Sequence, residues 1–101
     1  MVRRLNEYID NSDTIQILED IISKLKYNSK NMTNTQYSLL DDAYMSFQNY
    51  RNGKCSESEV YQKCREFAEY CQWHNKNLTK KQDWLIDDIL SNTWYGFKKY
   101  K

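Results

Sequence analysis

A chain of 101 residues with 40% hydrophobic and 29% charged side chains, no proline and two glycines excludes collagen-like, proline-rich and low-complexity classes. That length corresponds to one domain with one small core, able to hide about 65% of its extended surface on folding. Fifteen basic side chains against 14 acidic ones leave a formal charge of +1, which excludes a protein-wide field able to gather nucleic acid.

Residues 1–12 read as an arm, with Leu5, Tyr8 and Ile9 suited to a short extra turn. No apolar run follows Arg3 and Arg4, so neither a secretory signal nor a spanning helix is drawn, and the expected location is the cytosol. Asn11-Ser12-Asp13 is a helix-start signal, and Ile15, Leu18, Ile22 and Leu25 then recur at helical spacing with Ile21 beside them. This predicts helix 1 over 13–27. After a polar loop, Thr33 or Asn34 caps helix 2, whose Tyr37, Leu40, Tyr44 and Phe47 form the apolar stripe with Ala43 at its flank. It ends near Arg51, where Gly53 supplies a left-handed turn.

Ser56 with Glu59 fits a capping box that opens helix 3, with Val60, Cys64, Phe67 and Cys71 as its stripe and His74 in the last turn. Thr79 with Gln82 is a second capping box, opening a helix 4 over 80–92 whose buried arc is Leu85, Ile86, Ile89 and Leu90. Short links between successive helices make them antiparallel neighbours, so the expected fold is an all-α, up-down-up-down four-helix bundle in one domain, 1–101. No internal repeat and no Gly-rich phosphate loop is read along it. Residues 93–101 are expected to leave the helical pattern as an aromatic, basic tail.

Candidate chemistry is sparse. Cys55, Cys64 and Cys71 are an odd count, and Cys64 and Cys71 lie about 10.5 Å apart along a helix axis, beyond disulfide reach, so free thiols are expected. The same separation keeps Cys64, Cys71 and His74 from sharing one zinc ion. Asp41-Asp42 and Asp87-Asp88 diverge by about 100° on a helix and read as solvated faces. With one histidine and no paired base, no catalytic, metal or cofactor site is assigned.

Aromatic residues outside the stripes are the candidates for partner contact. Trp84 lies nearly opposite the Leu85/Ile86/Ile89 arc, so the tail or the arm covers it or it meets a partner; Trp73 is displaced from the helix 3 stripe in the same way. Trp94, Tyr95, Gly96 and Phe97 with Lys98 and Lys99 complete the candidate surface. Such a tail suits an anionic membrane face, and the competing reading is that it folds back over a seam of the bundle.

The helix pattern, with Leu78-Thr79-Lys80-Lys81-Gln82 before helix 4 and Ser91-Asn92-Thr93-Trp94-Tyr95-Gly96 at its close, resembles the immunity proteins of pediocin-like (class IIa) bacteriocins, the enterocin A immunity family and its shorter mundticin-like members. The similarity covers residues 13–97. The three cysteines, three tryptophans and aromatic-basic end depart from the family pattern. The resemblance implies a cytosolic protein that protects a bacteriocin producer from its own peptide. It would act from the inner face on the membrane components of the mannose phosphotransferase system once bacteriocin has engaged them. It also implies that the carboxyl-terminal half recognises the cognate toxin, which falls here on helix 4 and the tail. The alternative is a soluble helical inhibitor or adaptor of a phage or plasmid type that binds a host enzyme; a helical domain clamping nucleic acid with its basic end is a third.

Overall fold

In a computed structural model, the backbone is described for residues 11–99 and the side chains for residues 14–93. The short turn expected of the arm before residue 11 lies outside the described residues. Four helices follow one another: α1 (Asn11–Tyr27), α2 (Asn34–Arg51), α3 (Glu57–Trp73) and α4 (Lys80–Lys99). Local capping sets the starts of α2, α3 and α4. Thr33 accepts the Gln36 N–H while Gln36 accepts the Thr33 N–H, a complete capping box at α2. Ser56 caps α3 by accepting from the Glu59 N–H at 3.3 Å. Gly53, at φ 73°, takes the left-handed turn after α2 that a Cβ would strain.

Apolar stripes from all four helices meet in one core. Leu18, Ile22 and Leu25 of α1, Leu40 and Ala43 of α2, Val60, Cys64, Phe67 and Cys71 of α3 and Ile89 of α4 are fully shielded from solvent. Sequential helices pack side by side, α1 closes the ring against α4, and α1 also meets α3 across the centre. This is the expected antiparallel four-helix bundle. Of the expected stripe, Tyr44, Leu85 and Leu90 are only half-buried against the core, and two assignments change outright. Tyr37 stays 40% exposed because its hydroxyl accepts from the Lys26 ammonium at 3.2 Å instead of turning inward, and Tyr61, which the periodicity passed over, is buried.

The carboxyl end is a correction. α4 does not stop at Asn92 but runs to Lys99, so residues 93–99 are helix and not a tail. No proline interrupts them, the aromatic residues cost only tenths of a kcal/mol in a helix, and Gly96 costs about 1 kcal/mol against a helix already propagating. Thr93 is fully buried, its hydroxyl donating back to the Ile89 carbonyl at 2.8 Å.

An internal repeat, absent from the expectation, also emerges. Asn31 and Asn77, bonded to each other, are 46 residues apart. The same offset carries α1 onto α3 residue for residue and the start of α2 onto the start of α4. Buried positions follow it: Ile15 maps to Tyr61, Leu18 to Cys64, Ile22 to Ala68, Leu25 to Cys71, Gln36 to Gln82, Leu40 to Ile86, Ala43 to Ile89 and Phe47 to Thr93. In sequence the repeat is concentrated in Lys30-Asn31-Met32-Thr33-Asn34-Thr35-Gln36 against Lys76-Asn77-Leu78-Thr79-Lys80-Lys81-Gln82, each followed by an Asp pair, Asp41-Asp42 and Asp87-Asp88. The bundle is two copies of one helical hairpin, related by an approximate two-fold axis parallel to the helices.

Candidate functional site

The two repeated loops, 28–33 and 74–79, lie side by side at one end of the bundle and lock each other. Gln36 donates to the His74 carbonyl at 2.6 Å, and Gln82 donates to the Asn28 carbonyl at 2.7 Å. Asn77 donates to the Gln36 side-chain oxygen and Asn31 to that of Gln82, both at 2.8 Å. Each glutamine thus completes its own capping box and holds the opposite loop, and both are buried. Side-chain amides fill this role because one group supplies two donors and an acceptor, which matches the orphan groups at a helix end.

Around this lock the end surface is aromatic and basic. Tyr27 and Trp73, equivalent residues closing α1 and α3, are 96% and 82% exposed, and Trp84 in the second turn of α4 is 64% exposed. Lys24, Lys30, Lys76, Lys80 and Lys81 are exposed at the same end, and among the described residues none of the five forms an ion pair. Lys26 differs: it pairs with Asp41 at 2.8 Å and lies over the Tyr44 ring, and that hydrogen bond raises its pKa.

A groove of about 580 Å³ runs between the end of α1 and the start of α4, floored by Leu25 and Leu85 and flanked by Tyr27, Lys24 and Lys81. At the two-fold-related place, Tyr70 and His74 stand where Lys24 and Asn28 do, and their rings stack at 4.3 Å. His74 is therefore an exposed stacking partner whose backbone closes α3.

Of the candidate surface drawn from sequence, Trp84 is 64% exposed. The backbone of Trp94, Tyr95, Gly96, Phe97, Lys98 and Lys99 is helical, and their side chains lie outside the described residues. Trp84 and Trp94 are about 15 Å apart along the α4 axis, so the candidate residues form no single patch at one end of the helix. Sequence reasoning missed Tyr27 as half of a symmetric pair and Gln36 and Gln82 as lock residues. The signal was present as the repeated Lys-Asn-x-Thr-x-x-Gln.

Cys55, Cys64 and Cys71 are free thiols, the last two buried. Burial pushes both Cys64 and Cys71 up to about 12, so they are protonated thiols at neutral pH and serve as packing. Cys55, half-buried, is raised by burial and by Glu59. Among the described residues no three His, Cys, Asp or Glu side chains converge to hold a metal ion, and no helix is long and apolar enough to cross a membrane.

Compared with protein-family models, curated proteins and solved structures, the chain finds no match.

Proposed function

We propose that this protein is an immunity protein against a pediocin-like bacteriocin, acting from the cytosolic face on the mannose phosphotransferase components that the bacteriocin has engaged. The reading rests on the resemblance in the last third of the chain, and the observation that carries it is Trp84. Its ring stands 64% exposed on α4, in the half that recognises the cognate toxin in that family. An exposed tryptophan on a rigid helix is the kind of anchor that protein interfaces are built on. Part of the resembling stretch, Leu78 to Gln82, serves the loop lock through Thr79 and Gln82, so the specificity of the resemblance falls on residues 91–96.

The test is protection. Expressed in a sensitive strain, the protein is expected to permit growth in the presence of at least one pediocin-like peptide, and Trp84→Ala to weaken that protection without loss of fold. Unchanged killing across a broad panel rejects the reading, and copurification with one soluble enzyme but not with transporter membranes points to the inhibitor or adaptor class instead.

A further inference from the structure

Charge in this protein is unevenly placed despite its near-zero sum. The two stretches that the fold brings to one end, 24–37 and 70–84, hold six lysines and a single carboxylate, Asp83. Five of those lysines are exposed and outside any ion pair among the described residues. The rings of Tyr27, Trp73 and Trp84 project at the same end, with exposures of 96%, 82% and 64%. We propose that this loop end of the bundle is a peripheral docking face for an anionic lipid bilayer.

Symmetry argues for a plane as the partner. The approximate two-fold axis runs parallel to the helices and emerges between Asn31 and Asn77, so residues related by it stand at the same height on opposite sides. Tyr27 pairs with Trp73 in this way, and Lys30 with Lys76. A flat surface perpendicular to the axis meets both members of each pair together. A protein partner is instead anchored by aromatic residues gathered near the centre of a patch, whereas here the centre is the self-satisfied amide lock and the rings stand around it. Tyrosine and tryptophan are the residues that settle at the headgroup level, and lysine supplies the attraction to anionic lipid. The face contains no arginine, the residue that grips phosphates of nucleic acid in bidentate fashion. The lock keeps the two loops in register so that both halves touch at once. The inference shares exposed Trp84 with the immunity reading but does not rest on that reading, and it puts membrane contact at the end of the bundle away from Lys98 and Lys99.

Flotation of the full chain with phosphatidylcholine vesicles and with equimolar phosphatidylcholine–phosphatidylglycerol vesicles tests it. Binding is expected only to the anionic vesicles, weakening as salt rises. The Lys30→Gln, Lys76→Gln double variant should lower partitioning about fivefold for each lysine. The Tyr27→Ala, Trp73→Ala variant should lower it further with circular dichroism unchanged, and a Lys98→Gln, Lys99→Gln variant should leave it in place. No binding to anionic vesicles overturns the proposal. So does binding that follows Lys98 and Lys99 and ignores the loop lysines, or retention on immobilised RNA by a chain that ignores vesicles. Cell protection is scored separately, so either idea can fail alone.

Discussion

Asn31 and Asn77 each donate a side-chain amide hydrogen to the other's backbone carbonyl, at 2.5 and 2.7 Å, across 46 residues of chain. The pair sits where the two helical hairpins meet, flanked on either side by a buried glutamine that performs the same double task. Loops between helices are ordinarily the most variable and least ordered part of a bundle. Here the helix caps and the contacts between loops are made by the same side chains, which couples helix initiation to bundle assembly.

Replacing Gln36 or Gln82 by Ala should therefore cost about 2 kcal/mol each, because each leaves a carbonyl and an amide short of partners at the half-buried lock and removes half a capping box. The two losses should be similar, since the residues are equivalent. Urea unfolding checks this through a fall in midpoint at constant slope; a change below about 0.5 kcal/mol for either would mean that water replaces the amide at no cost.

The repeat predicts that the loops are interchangeable. A chain in which Met32→Leu, Asn34→Lys and Thr35→Lys convert residues 30–36 to the sequence of 76–82 should remain within about 1 kcal/mol of the parent, because Asn34 and Thr35 are exposed and Met32 is only partly buried. A loss of more than about 3 kcal/mol would show that the halves are not equivalent in this register.

Alkali should destabilise the fold from about pH 9. Cys64 and Cys71 rise from 9.0 to about 12 on folding and Tyr61 rises from 10.0 to about 12, all through burial first. In each case the unfolded chain loses its proton earlier. The native advantage is thus whole below the unfolded pKa and drains away between there and the folded value, at about 1.4 kcal/mol per group per pH unit. Thermal melts of the parent and of a Cys64→Ala, Cys71→Ala variant across pH 7 to 11 should show a shallower alkaline fall in the variant; parallel curves would remove the thiols from the cause.

Thiol labelling gives a second measure of the same burial. In the native protein at neutral pH, Cys55 should react first, since it alone is not fully covered, while Cys64 and Cys71 react only on unfolding. Modification of all three at one rate would mean that the interior opens as readily as the surface.

Cutting the chain after Thr93 should leave a cooperatively unfolding bundle with a modest loss of ellipticity, because the removed part of α4 follows the last described core residue. Collapse of the transition would make 94–101 part of the fold.

The stripe of Leu18, Ile22 and Leu25, the Cys64/Phe67/Cys71 stripe and the Thr79/Gln82 box were readable because helical periodicity and capping depend on neighbours three and four positions away. Tyr37 and Tyr61 were misplaced for the complementary reason: a large amphipathic ring goes where a distant partner allows, and Lys26 on another helix holds the first outward. The end of α4 was misread since aromatic residues and one glycine are weak helix breakers, whose effect a propagating helix overrides. The repeat was readable in Lys30 to Gln36 and Lys76 to Gln82, but its seven-residue scale is lost when the chain is scanned for stripes alone.

Sequence by itself determined four amphipathic helices, their order and their short links, because all of these are local properties of the chain. Tertiary structure decided that Gln36 and Gln82 belong inside, that loops 46 residues apart grip each other, and that lysines scattered along a nearly neutral chain gather with Tyr27, Trp73 and Trp84 at one end. Those facts depend on which helix ends meet in space, and no window along a chain contains that information.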